Sequence, residues 1–163
     1  MQRQCNNRLL QFRYELKNKR NQTMETRYQE MIEYAGHGYW EWNPLTNAIS
    51  FSKQWVEMLG YESKTFDQTM NAWIDRIHPS ETSSCLNALA TLLNGKIDHY
   101  KHQHRMRCAN GVYKWVLDQA KIVAYNELGY PCKIVGTLTD IDEVYQRLCT
   151  TQWQQELRTQ ACG

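Results

Sequence analysis

The sequence lacks any close pair of cysteines. Its six cysteines occupy positions 5, 85, 108, 132, 149 and 162, and no two lie within four residues of each other. This spacing excludes a CxxC redox motif, a zinc knuckle and a CxxCH haem attachment site. Free thiols are typical of a reducing compartment, so the pattern predicts a cytoplasmic protein.

Long hydrophobic runs and an excess of one charge are also missing. No secretory signal opens the chain, and no apolar run approaches the roughly 20 residues that span a bilayer. The formal net charge is only +2. The charge of the whole chain therefore does not favour binding to nucleic acid or to an anionic membrane. We therefore expect no nucleic-acid partner and no membrane insertion of this segment, while an anchor elsewhere in a longer protein stays open.

Motifs of known enzyme classes are absent as well. The sequence contains no Ser-His-Asp order, no nucleophile elbow, no P-loop and no HExxH. The chain is therefore predicted to have no enzymatic activity of its own.

The sequence does contain enough apolar and aromatic residues to form one packed domain. Of its 163 residues, 42% are hydrophobic and 12% aromatic, with six tryptophans and ten tyrosines. This amount supports a sizeable core and argues against extensive disorder. The length suits one domain with a helical extension.

Residues 1–33 form that predicted extension. The segment has neither glycine nor proline, and Tyr28, Met31 and Ile32 recur at helical spacing, which predicts one long helix or two. Up to Arg27 it carries seven Lys/Arg against two Glu. Such a helix could contact nucleic acid or lipid, but a solvated helix that pairs in a dimer is favoured.

Short helices are predicted between two early strands and a later group of three. "GYWEWN" and "AISFS" form a hairpin through the turn "PLTN". "KQWVEMLGY" and "NAWIDRI" are short helical pieces, and "HPSETSSCLNALATLLNG" is the clearest helix. We expect Glu81 in its first turn, where a carboxylate suits the helix dipole. Its apolar stripe is predicted to be Leu86, Leu89, Ala90 and Leu93.

The later strands complete a five-stranded sheet. "IDHYKHQHRMRC" and "VYKWVLDQAKIVAY" flank Asn110-Gly111, a tight hairpin signal. "CKIVGTLTD" is the last strand, and it leads into a helix predicted over residues 143–163. Strands with helices inserted after the second predict an α+β fold with an antiparallel sheet and the inserted helices on one face.

The ordered pieces of this pattern resemble a PAS domain with its PAC segment, of the bacterial sensory-box type. The resemblance runs from Tyr34 to Asp142. Each piece alone is weak evidence for the resemblance, whereas the order in which the pieces follow one another is specific to the family. The matching pieces are Gly38 to Trp42, Phe51-Ser52 with Trp55, Met58 to Tyr61, Trp73 with Ile77-His78-Pro79, Arg105 to Arg107, Asn110 to Val116, Gly129, Pro131, and Gly136 to Ile141.

This resemblance implies a sensory or dimerisation module over residues 34–142. Such modules precede an output domain, a GGDEF-type diguanylate cyclase or a histidine kinase, in one longer polypeptide. It further implies a homodimer through the N-terminal helix and a linker helix over residues 143–163. Asp140, Ile141 and Asp142 would relay the signal, since the strand enters the helix without Gly or Pro.

A small-molecule pocket is also implied, between the sheet and the short helices. Its ligand is unknown and would be a small organic molecule. A flavin is not expected, because the flavin-type Cys motif is missing, and a haem sensor is a weaker alternative, because His78 of the His-Pro pair suits a structural role better than haem ligation. Core filling by the aromatic residues, in a ligand-free interaction module, is the alternative. The predicted lining residues are Trp40, Trp42, Trp55, Trp73, Tyr100, His102, His104, Met106 and Trp115.

The stretch "DHYKHQHRM" carries three histidines. In the register of the resemblance, His102 and His104 point inward with Tyr100 and Met106, while His99 points outward. Two histidines are an incomplete ligand set for zinc, and no nearby carboxylate or cysteine is a clear third. We therefore predict no metal site and expect the inward histidines to have hydrogen-bond partners.

Overall fold

The computed structural model describes residues 2–148, and it divides at Ala35 and Gly36 into two units. The first unit is one uninterrupted helix, α1 (Gln2–Tyr34), so the extension is a single helix rather than two. On it Leu16, Tyr28 and Met31 are all more than half exposed. The predicted linker helix beyond residue 148 lies outside the described residues.

The second unit contains a five-stranded antiparallel sheet, as predicted. Its strands lie in the order β2-β1-β5-β4-β3, and three short helices are inserted between β2 and β3. Residues 142–148, here called the exit helix, follow the last strand. The elements are β1 (Gly38–Asn43), β2 (Ala48–Phe51), α2 (Lys53–Met58), α3 (Met70–Ile74), α4 (Thr82–Leu93), β3 (Tyr100–Arg107), β4 (Tyr113–Tyr125) and β5 (Pro131–Asp140).

Both predicted hairpins form at residues with left-handed backbone. Asn47 has φ 58° at the β1–β2 turn, and Gly111 has φ 84° between β3 and β4. Asn and Gly adopt this conformation most readily, which explains the turn positions. The Asn47 side-chain oxygen also accepts a hydrogen bond of 3.2 Å from Trp42 Nε1, so the turn orients that indole.

The core lies on one face of the sheet, beneath the helices. Alternate residues of β1 and β5 point into it, among them Trp40, Trp42, Ile134 and Leu138. Gly136 also points inward, and a Cβ there would lie 2.4 Å from Trp40 Cε2. The missing side chain is therefore what lets the Trp40 indole lie across β5.

The apolar stripe of α4 is rotated from its predicted position. The helix buries Cys85, Leu89 and Leu92, whereas Leu86 is 38% exposed. Apolar residues follow one another along this helix, so the sequence allowed either rotation. The observed one places a cysteine in the core, where that residue packs as a small hydrophobe.

Glu81 precedes α4 instead of lying in its first turn. Its carboxylate accepts hydrogen bonds from the Arg105 backbone N–H at 2.7 Å and from Arg105 Nε at 2.8 Å. These bonds hold the pKa of Glu81 below its usual value against the opposing effect of burial. The acid therefore fastens the start of α4 to β3.

Candidate functional site

The inner face of β3 has the predicted register. Tyr100, His104 and Met106 are buried and His102 is half-buried, whereas the intervening Lys101 and Gln103 are exposed. His99 lies just before the strand and is exposed. Alternation along the strand thus separates the three histidines into two inward and one outward.

A small cavity lies between the inner face of the sheet and the helices. Trp40, Trp42, Trp73 and Tyr100, all predicted lining residues, surround it. Its free volume is about 10 Å³, close to what one water molecule needs. The remaining lining residues are Ile49, Phe51, Met70, Leu89 and Asp118.

Two further predicted lining residues belong to the packed core instead. Trp55 and Met106 are fully buried. The Trp55 ring lies 4.2 Å from the ring of Phe51, centroid to centroid, and does not line the cavity. For these two residues the structure shows core packing.

The prediction that Trp115 lines the pocket is wrong. Trp115 occupies the opposite face of β4, where its ring stacks on Tyr145 of the exit helix with centroids 4.3 Å apart and planes 17° apart. The physical reason is strand alternation, since the inward residues of β4 are Val116, Asp118 and Ala120.

Asp118 is a site residue that the sequence analysis missed. Its side chain is 1% exposed and accepts a hydrogen bond of 2.9 Å from Trp40 Nε1. Burial raises the pKa of Asp118 to about 7, although the Trp40 bond works in the opposite direction. The available signal was its place between Val116 and Ala120, which puts a carboxyl group on an apolar face.

The Tyr100 hydroxyl is a second polar group in the cavity wall. It is buried and makes no hydrogen bond of good geometry within the described part of the chain. Burial, together with the Asp118 charge, raises the pKa of Tyr100. The cavity therefore combines an aromatic wall with a carboxyl and a hydroxyl group.

Beside this cavity, Cys85 of α4 meets the two inward histidines. Cys85 Sγ lies 3.4 Å from His102 Nδ1. The three donor atoms of Cys85, His102 and His104 all lie within 4.8 Å of one another. The expectation that no nearby cysteine is a clear third donor is therefore wrong, because the observed rotation of α4 brings Cys85 next to the histidines.

His104 is the second inward histidine of this group. It is fully buried, between the Trp73 ring at 6.3 Å and the His102 ring at 5.5 Å. Neither ring nitrogen makes a hydrogen bond of good geometry with a described residue, contrary to our expectation. Burial, aided by His102, lowers the pKa of His104 to about 4, so the ring is neutral at pH 7.

The predicted relay residues meet β4 at the end of the sheet. Asp142 Oδ1 accepts a hydrogen bond of 3.1 Å from the Trp115 N–H, and the Ile141 N–H donates one of 3.0 Å to the Trp115 carbonyl. Asp140 pairs with Lys114 Nζ at 2.9 Å. Strand β4 therefore contributes to both the buried cavity and the start of the exit helix.

Comparison with protein families identifies this architecture. Residues 48–138 match the family described as PAS fold. The chain belongs to this family. A search of curated protein sequences gave no significant match.

Solved PAS structures show the same arrangement. The crystal structure of a sensory box histidine kinase/response regulator from Burkholderia thailandensis has 27% identity and a TM-score of 0.69, covering 82% of this chain and 98% of that one. The N-terminal domain of a diguanylate cyclase with PAS/PAC sensor from Marinobacter aquaeolei has 19% identity and a TM-score of 0.59, covering 67% and 98%.

These findings define the chain as a PAS sensory domain of the kind found in signalling proteins. A PAS domain is a regulatory module rather than a catalytic one. Among residues 2–148, no helix is both long enough and apolar enough to cross a bilayer.

Proposed function

We propose that this PAS domain passes the chemical state of its buried interior to an output domain in the same cytoplasmic polypeptide. The similar domains from B. thailandensis and M. aquaeolei come from a histidine kinase and a diguanylate cyclase. An output domain of either type, joined through the exit helix, is the corresponding proposal here.

The observation that carries this proposal is the double role of β4. Asp118 faces the cavity, and Trp115, three residues earlier on the same strand, holds the exit helix. The neighbouring strand β5 also extends from the level of the cavity to the exit helix. Its Leu138 pairs with Asp118, and its Asp140 pairs with Val116. A shift of β4 at the cavity would therefore also displace the residues that contact the exit helix.

The contacts at the exit are suited to transmission. The Trp115–Tyr145 ring stack joins the strand to the exit helix. No glycine or proline interrupts residues 137–145. A stiff junction transmits a small displacement that a flexible linker would absorb.

Hydrogen exchange of residues 139–148 tests the relay. Asp118→Asn changes the charge state of the cavity and should alter exchange in that segment. Lys121→Gln, an exposed change on the same strand, is the control and should leave it unaltered. Identical exchange in wild type and Asp118→Asn would contradict the relay.

The cavity supports a second candidate, binding of a small organic molecule. Its indole walls, the Asp118 carboxyl and the Tyr100 hydroxyl suit a small ligand that donates hydrogen bonds or carries positive charge. Since the free space is about 10 Å³, the side chains must move to admit one. A haem sensor is the weaker alternative, since a haem would need far larger side-chain movements than a small ligand.

Native mass spectrometry distinguishes ligand binding from the ligand-free module. If the cavity binds a ligand, a small amine or heteroaromatic fragment should remain bound to the wild-type domain. Trp73→Ala enlarges the cavity and should change the fragments retained, whereas Trp115→Phe, on the other face, should not. A wild type that retains no fragment would support the ligand-free module.

We also propose that α1 pairs with the α1 of a second copy. The exposed apolar residues Leu16, Tyr28 and Met31 support this pairing, since they are 51%, 57% and 67% exposed on the single chain. Deleting residues 1–27, or making the double change Tyr28→Glu and Met31→Glu, should halve the mass in solution. Glu30→Gln is the control, and a dimer that survives both the deletion and the double change would contradict the proposal.

A further inference from the structure

We propose that Cys85, His102 and His104 form a binding site for a divalent metal ion of the zinc type. The site adjoins the aromatic cavity but uses different side chains. It does not depend on the relay proposed above.

The donor atoms have the chemistry and spacing that such an ion needs. One thiolate and two imidazoles form a mixed S/N ligand set typical of zinc. Neighbouring ligands of a tetrahedral zinc lie about 3.5 Å apart, from metal–ligand distances of about 2.0–2.3 Å. Cys85 Sγ and His102 Nδ1 are 3.4 Å apart, and all three donors lie within 4.8 Å. Small side-chain rotations bring them onto one ion.

His104 supplies the second, independent indication of a ligand. Its ring is fully buried, and neither nitrogen makes a hydrogen bond of good geometry within residues 2–148. An unpaired buried polar group costs free energy, so such a group calls for an explanation. A metal ion held jointly with Cys85 and His102 would use one of these nitrogens.

Metal binding at this site must displace the proton of Cys85. Burial raises the pKa of the Cys85 thiol to about 12, so the thiolate needed for nucleophilic or redox chemistry is scarce. A divalent ion replaces the thiol proton: the S–H bond breaks, an S–metal bond forms and one proton leaves to solvent. The neutral His104 ring can coordinate without losing a proton.

Asp118 balances the charge of the proposed site. It lies directly across from His102 in the β3–β4 pairing, so the two side chains share the inner face. A divalent ion with one thiolate and the Asp118 carboxylate has no net charge, which suits a buried place. Three protein ligands leave the fourth position open to water.

His102 is the most exposed of the three donors, since it is half-buried while Cys85 and His104 are buried. The bound ion would join α4 to β3, the edge strand that pairs with β4. Metal binding would thereby add coordinate bonds that join an inserted helix to the sheet.

Cobalt titration of the full reduced chain tests the site, since Co²⁺ substitutes for zinc and is coloured. We expect one Co²⁺ per chain, with the intense visible bands of tetrahedral coordination and a thiolate-to-cobalt charge-transfer band. Cys85→Ser should abolish the charge-transfer band and weaken binding at least about tenfold. His104→Gln should weaken it similarly.

Two matched variants serve as controls. Cys108→Ser removes a partly buried thiol elsewhere, and His99→Gln removes the outward histidine of the same stretch; both should bind Co²⁺ as wild type does. Serine at Cys5, Cys149 and Cys162 removes the thiols whose side chains lie outside the described residues. The proposal fails if wild type binds no Co²⁺ at stoichiometric concentration, or if Cys85→Ser keeps the charge-transfer band.

Thermal unfolding with Zn²⁺ gives a measurement that does not depend on spectra. Zinc in excess should raise the melting temperature of wild type, since it binds only the folded chain tightly. Cys85→Ala, shown to be folded by circular dichroism, should lose this increase. An equal increase in both would contradict the site, whereas unchanged exchange in Asp118→Asn would contradict only the relay.

Discussion

The buried interior and the exit junction use polar groups in opposite ways. Inside, the His104 ring and the Tyr100 hydroxyl make no good hydrogen bond within the described residues, and Asp118 is held with a raised pKa. At the exit, Asp140 and Asp142 each bind a partner on β4. Asp118 of the interior and Trp115 of the junction point to opposite faces of β4.

From this difference we infer different roles for the interior and the junction. Buried polar groups without partners lower stability, and they respond to protons, ions or ligands. Paired groups at the junction hold one geometry, so a movement that reaches them is passed on. We therefore propose that the interior is the input of the domain and the junction its output.

The largest expected effect comes from filling the space beside Trp40. In Gly136→Ala the new Cβ would lie 2.4 Å from the Trp40 ring and 2.6 Å from the Gln119 carbonyl oxygen. The ring or strand must shift, which should destabilise the domain by about 3 kcal/mol in urea unfolding. Thr137→Ala, on the outer face of β5, should cost less than about 1 kcal/mol, and equal losses would contradict this packing.

Glu81→Gln should have the next largest effect, because it weakens the bonds between α4 and β3. We expect a loss of about 2 kcal/mol at pH 7, as Arg105 keeps a poorer acceptor. The pKa of Glu81 is lowered in the fold, so its contribution is present above its unfolded pKa and is lost as the pH falls through the folded value.

The control for this change is Glu57→Gln, an exposed partner of Lys53. Exposed ion pairs contribute little, so it should change stability by less than about 0.5 kcal/mol. Acid sensitivity that remains equal in wild type and Glu81→Gln would contradict the role of Glu81.

Asp118 and His104 should make opposite contributions to the pH dependence of stability. The folded pKa of Asp118 is raised to about 7, so its protonated form favours folding and stability falls as the pH rises from 4 to 7. The folded pKa of His104 is lowered to about 4, so stability falls as the pH drops from 6.5 to 4.

In wild type these two slopes oppose each other between pH 4 and 6.5. In Asp118→Asn the opposing contribution of Asp118 is removed and that of His104 remains. The free energy of unfolding of this variant should therefore fall more steeply with acidification, by on the order of 1 kcal/mol per pH unit. Urea unfolding at half-unit pH steps measures the difference, to which Glu81 contributes equally in both proteins. Parallel curves would contradict the assignment.

Asp142→Ala should have the smallest effect on stability, about 1 kcal/mol. It removes the acceptor of the Trp115 N–H, so that amide should exchange faster with solvent. Glu143→Ala, at the next and exposed position of the exit helix, should leave this exchange unchanged. Protection of the Trp115 amide in Asp142→Ala equal to that in wild type would contradict the junction.

The sheet and its register were predictable because they depend on local patterns. Alternation along β3, in the register that the family resemblance implied, placed His102 and His104 inward, and Asn110-Gly111 predicted the hairpin. The interior cluster was not predictable in the same way. Cys85 reaches the histidines only through the rotation of α4, and Asp118 reaches Trp40 through pairing across 78 residues of sequence. Alternation along β4 puts Asp118 on an apolar face, but no local pattern predicts that Trp40 or Cys85 comes near these groups.

The most direct test of the account is an NMR titration of the full chain from pH 5 to 8.5. If the interior is the input, the Trp115 and Asp142 amides should report the Asp118 titration with a midpoint near pH 7. Asp118→Asn should remove that midpoint at both amides. Amides that titrate identically in wild type and Asp118→Asn would show that the interior and the exit helix are not coupled.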